Sequence, residues 1–112
     1  MYTFGGQSCK GGKHSFFSDV HRLNLRTLVW ESVAPTAGRG PSARSQSLAF
    51  VYDDHVYVYG GYDGSTVHSD LHRLGLKTRR WEALATKGER PDVLKGLVMR
   101  KYAVHFCRPA GE

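Results

Sequence analysis

Ser18-Asp19-Val20-His21-Arg22-Leu23-Asn24-Leu25 returns 51 residues later as Ser69-Asp70-Leu71-His72-Arg73-Leu74-Gly75-Leu76. The same offset carries Thr27 to Thr78, Trp30-Glu31 to Trp81-Glu82 and Ala34 to Ala85. Ten of the 17 positions from Ser18 to Ala34 are identical to their partners, so the chain is built on an internal repeat. Upstream, Tyr2-Thr3-Phe4-Gly5-Gly6 answers to Tyr57-Val58-Tyr59-Gly60-Gly61 at an offset of 55, which makes the connection after the first glycine pair four residues longer. Downstream, Gly40-Pro41 and Arg90-Pro91 correspond at an offset of 50.

Each copy reads as short strands. Leu48-Ala49-Phe50-Val51-Tyr52 is a continuous apolar run, the pattern of a strand buried on both faces. Asp53-Asp54 is a turn signal, and His55-Val56-Tyr57-Val58-Tyr59 is β-branched and aromatic, hence a second strand that Gly60-Gly61 should end. Tyr62-Asp63-Gly64-Ser65-Thr66 has loop chemistry. Asp70–Leu76 predicts a third strand and Arg80–Leu84 a fourth, while no stretch shows a helical apolar period. The expected fold is all-β, with four antiparallel strands in each repeat of about 50 residues.

The glycine pair after an apolar strand, an Asp-led strand and a Trp beyond it resemble the kelch repeat. The residues are Gly5, Gly6, Asp19 and Trp30 in one copy and Gly60, Gly61, Asp70 and Trp81 in the other. Pro41-Ser42-Ala43-Arg44 is similar to the Pro-x-x-Arg lead-in of many such repeats, and the resemblance runs from residue 1 to about residue 91. It implies four-stranded kelch blades stacked as a partial or open β-propeller, since a lone sheet of this size cannot cover both its faces. Trp30 and Trp81 should then fill space between blades.

Residues 1–41 read as a partial blade lacking its first strand, plus a linker. Residues 42–91 read as a complete repeat, and 92–112 as a degenerate start of a third repeat or an irregular tail. Within that tail, Gly96–Met99 and Tyr102–Phe106 have strand character. Propellers close with roughly four to eight blades, more than 112 residues supply. The ring therefore calls for further blades in a longer chain or for self-association.

Composition narrows the function. The chain is 40% hydrophobic and 23% charged, which is globular, and it has no apolar run that would span a bilayer, so no membrane partner is expected. Sixteen Lys and Arg against ten Asp and Glu give a charge of +6, but the basic residues are scattered among acidic ones, so a nucleic-acid stripe is not the expected use. Cys9 and Cys107 alone exclude a disulfide-dense scaffold and suit a reducing, intracellular compartment, cytoplasmic rather than nuclear by preference. Gly5–His14 is rich in glycine, but it places His14 where a phosphate-binding loop needs Ser or Thr. The His and Cys residues lack the spacing of a structural zinc site, and no nucleophile elbow or HExxH motif is present. No enzyme activity, cofactor or metal site is expected.

The remaining class is a protein-binding module. The kelch resemblance implies a scaffold or adaptor, including substrate recognition for a ubiquitin ligase. The alternatives are a non-binding structural piece of a larger propeller and a fragment of a galactose-oxidase-like enzyme. Gln7–Phe17 and Tyr62–His68 are read as the loops between second and third strands, which help form the binding face in kelch propellers. Arg44, Tyr62 and His68 are the partner-binding candidates, with an acidic protein as partner. Arg44 has two readings: a guanidinium offered to a partner carboxylate, or one paired with a neighbouring acid within the blade. Asp19 and Asp70 are expected to satisfy backbone amides.

Overall fold

The computed structural model describes residues 1–89 and 107–108, and the expected tail strands at 96–99 and 102–106 lie outside them. The first sheet takes β1 (Tyr2–Lys10), β2 (Lys13–Asn24) and β3 (Val29–Ser32), with β8 (Cys107–Arg108) added at its edge. The second takes β4 (Leu48–Tyr52), β5 (His55–Tyr62), β6 (Val67–Gly75) and β7 (Trp81–Leu84). Strand orders are β3-β2-β1-β8 and β4-β5-β6-β7. Consecutive strands pair antiparallel, whereas β8 runs parallel to β1 at Gln7 and Ser8. The position beside β1 is thus taken by a strand from residues 107–108.

The repeat is visible in the backbone. Gly5 and Gly6 have φ of 66° and 121°, and Gly60 and Gly61 have 64° and 115°. Both pairs sit at bulges, between Phe4 and Gly6 and between Tyr59 and Gly61, so the strands run on past the glycines instead of ending there. The positive φ at all four glycines, and the close approach of other chain at Gly5 and Gly61, exclude side chains. A Cβ on Gly61 would meet the Ser47 hydroxyl and stand 2.9 Å from the Ser45 carbonyl. Gly61→Ala should cost about 1–3 kcal/mol from backbone strain, read as a lower urea midpoint.

Cross-strand partners share a face, which assigns the core. Val56, Val58, His72, Leu74 and Trp81 lie on one face of the second sheet and are buried. Tyr2, Phe4 and Val20 share a face of the first sheet, with Val33 bonded beside Val20. These two faces meet: Trp81 is 5% exposed, and its ring stands edge-on to Phe4 at 5.9 Å and to His72 at 6.5 Å. Gly40 lies against that indole so closely that a Cβ would be 2.7 Å from the ring nitrogen. The inter-blade role expected of Trp81 is therefore observed.

Trp30 departs from it. It occupies the matching place on the opposite face of the first sheet, which no described blade covers, and it is 52% exposed. The strand expected to be buried on both faces departs likewise, with Leu48, Phe50, Val51 and Tyr52 exposed. For Leu48, Phe50 and Tyr52 the reason is shared, because they lie on the face of the second sheet opposite Val56 and Val58, which no described blade covers. An apolar run reports a strand designed for burial, and the burial itself has to come from a neighbour.

Candidate functional site

Between β3 and β4 the chain crosses from one blade to the other and back. Thr36 N donates to Arg79 O at 2.7 Å and Trp81 N to Ala37 O at 3.0 Å, binding the linker along β7. Further on, Arg44 N donates to Phe17 O and Gly6 N to Arg44 O, both at 3.0 Å, which fixes that residue to the first blade. Ser45 and Tyr62 then exchange both backbone bonds at 2.8 Å, in the second blade.

The Arg44 side chain points the other way from its backbone. Nη1 donates to Asp70 Oδ1 at 2.5 Å and to Gly60 O at 3.3 Å; Nε donates to Ser42 O at 3.0 Å and Nη2 to the Ser42 hydroxyl at 2.9 Å. The side chain is 3% exposed. Of the two readings of Arg44, this geometry is the intramolecular pair, with one extension: backbone on one blade and guanidinium on the other make the residue a staple between them. Asp70 also takes His72 Nε2 on Oδ2 at 2.8 Å. Burial raises the Asp70 pKa, but the bonds from Arg44 and His72 outweigh it and bring it to about 2. Asp19 repeats half of this pattern, with His21 Nε2 at 2.5 Å. Both carboxylates therefore bind a histidine side chain, and that of Asp70 also takes its own backbone amide.

Above this staple lie two hairpin ends. Gln7–Phe17, expected as a long loop, is instead an extension of β1 and β2 that turns only at Gly11-Gly12. The four extra residues lengthen the hairpin in register. Its tip exposes Lys10, Lys13 and His14, and the Gln7 side-chain amide meets His14 Nδ1. Cys9 is disulfide-bonded.

The neighbouring hairpin turns through Asp63–Thr66. Asp63 Oδ1 accepts from Ser65 N at 2.9 Å and Thr66 N at 2.7 Å, and Oδ2 meets His68 Nε2 at 2.9 Å. The backbone donors of Thr66 and Ser65, followed by His68, hold the Asp63 carboxyl well below the usual carboxylate range. Phe16 of the first hairpin stands edge-on to Tyr62 of the second, with ring centroids 6.3 Å apart, and the Tyr62 hydroxyl donates to Gly64 O at 2.7 Å. Tyr62 at the end of β5 and His68 at the start of β6 thus flank one turn, while Arg44 lies beneath it. Phe16 was not singled out by the sequence. The signal was there in Lys13-His14-Ser15-Phe16-Phe17, where a strand in place of a loop brings Phe16 to the inter-blade seam.

A family profile described as the KLHDC2/KLHL20/DRC7 Kelch-repeats domain matches residues 1–105. The chain belongs to the kelch-repeat family. Among curated kelch and related proteins, the chain is 36% identical over 97 residues to Acyl-CoA-binding domain-containing protein 4 of Arabidopsis thaliana, covering 86% of this chain and 14% of that protein. It is 26% identical over 133 aligned residues to Kelch domain-containing protein 1 of Mus musculus, covering 99% of this chain and 31% of that one. The solved structure titled "Structure of YjhT" superposes with a TM-score of 0.57 at 20% identity, over 77% of this chain and 34% of that one. This last likeness bears on the fold alone, and the fold is that of an open, partial kelch propeller. The chain spans less than a third of the length of these relatives. Kelch repeats are protein-interaction modules at the coarse level. Among the described residues, no three of His, Cys, Asp and Glu converge as a metal-binding group.

Proposed function

We propose that the two hairpin ends form a recognition face for an acidic, extended segment of a protein partner, in a scaffold or adaptor role without catalysis. The observation that carries this is the Phe16–Tyr62 aromatic pair, flanked on one side by exposed Lys10, Lys13 and His14 and on the other by His68. Aromatic rings supply apolar contact at low entropic cost, and the two lysines select carboxylates and speed encounter. Arg44 serves this face from below, holding the linker that fixes both hairpins at one spacing.

The test is fluorescence polarisation of a labelled Glu/Asp-rich peptide against the same peptide with Lys in place of the acids. The acidic peptide should bind and the basic one should not. Tyr62→Ala and Lys13→Glu should each weaken binding roughly tenfold, about 1.4 kcal/mol. Equal binding of the two peptides, or variants as tight as the parent, would overturn the reading.

A further inference from the structure

The interface inside the chain is heterologous: one face of the second blade meets a different face of the first. Among the described residues, each blade therefore retains one uncovered face of the kind its neighbour uses. On the first blade the free face carries His21, Leu23 and Trp30, the counterparts of His72, Leu74 and Trp81. On the second, the free face carries Tyr57, Tyr59, Leu71 and Arg73, the counterparts of Tyr2, Phe4, Val20 and Arg22. The correspondence extends to charge. The Arg22–Glu31 pair on the covered face is repeated by Arg73–Glu82, at 2.7 Å, on the free one. Trp30 is 52% exposed, and Leu48, beside Tyr59 in register, is 56% exposed.

We infer that the chain associates with further copies of itself head to tail, Trp30 of one copy seating on Tyr59 of the next as Trp81 seats on Phe4. The occupant is specified by the repeat. The free Trp30 face matches the face already bound to the first blade, and the free Tyr59 face matches the face that binds it. Such a contact uses two different surfaces, so it propagates until rotation closes a ring or continues as an open chain. Two to four copies of a two-blade unit span the usual range of propeller sizes, about four to eight blades.

Light scattering coupled to size exclusion, over a concentration series of the 112-residue chain, reads this directly. The parent should elute above its 12.5 kDa monomer mass and dissociate on dilution. Trp30→Glu and Tyr59→Glu should each run as monomers at concentrations where the parent is assembled. The two variants mixed should give a 1:1 species of twice the monomer mass and nothing larger, because each retains the one face the other needs. Leu48→Glu, at an exposed site on the same face, replaces Tyr59→Glu if near-ultraviolet circular dichroism shows the latter unfolded. A parent that is monomeric throughout, variants that assemble like the parent, or a mixture that stays monomeric would each overturn the inference. Monomeric behaviour would assign the two faces to blades of a longer chain.

Discussion

Trp81→Ala is expected to lower the free energy of unfolding by about 3–5 kcal/mol, the range for removing a large buried aromatic. The indole is the largest side chain in the shared core and touches Phe4, His72 and Gly40. Without it the two blades face each other across a cavity, and neither Val56 nor Leu74 can move to fill it, because both are held in β ladders. Domains of this size have only about 5–15 kcal/mol in total, so the loss should displace the urea transition strongly. Trp30→Ala is the internal comparison: the same residue type at the same repeat position, but half exposed, should move the monomer's midpoint by far less. Equal shifts for the two variants would show that Trp81 is not the inter-blade core.

Arg44→Ala should cost about 2 kcal/mol, below the range for removing one partner of a fully buried ion pair, since the Asp70 side chain it leaves behind is 41% exposed. Four hydrogen bonds to Ser42, Gly60 and Asp70 vanish together. Arg44→Lys should recover only part of the loss, because a single ammonium cannot reach acceptors on both sides of a planar fork. The pH dependence separates this pair from general packing. The Asp70 pKa falls from 3.8 to about 2 on folding, so its contribution is full above pH 4 and is lost as the pH drops through 2. In Arg44→Ala that acid limb should become shallower, with Asp63 and Glu82, both also lowered, still contributing. An acid limb of unchanged depth would remove Arg44 from the account.

The 51-residue offset made the blades legible, because a repeated Asp, His, Leu and Trp can only be one unit used twice. The glycine pairs were legible as special backbone, but not as bulges, since strand continuation depends on the register of the partner strand. Tyr62 and His68 could be found as loop residues of a kelch blade. Arg44 could be found, but its direction could not, because backbone bonds to Phe17 and Gly6 determine which way the side chain leaves. Phe16 was missed because the glycine-rich, basic stretch before it looks like a loop. The exposure of Trp30 and of Leu48–Tyr52 has no local signal at all, being a property of which neighbour is present.

The linker from Val33 to Ser47 has an energetic consequence. It contributes an ordered contact to β7, to the first hairpin and to β5, and its one buried cation binds the opposite blade from its backbone. In a one-dimensional array of repeats, stability divides into a term for each unit and a term for each junction. Here the junction contains Trp81, Arg44 and the linker hydrogen bonds, while each sheet alone would leave its apolar face in water. The junction is therefore a large part of the stability, and the two blades are expected to melt as one cooperative unit.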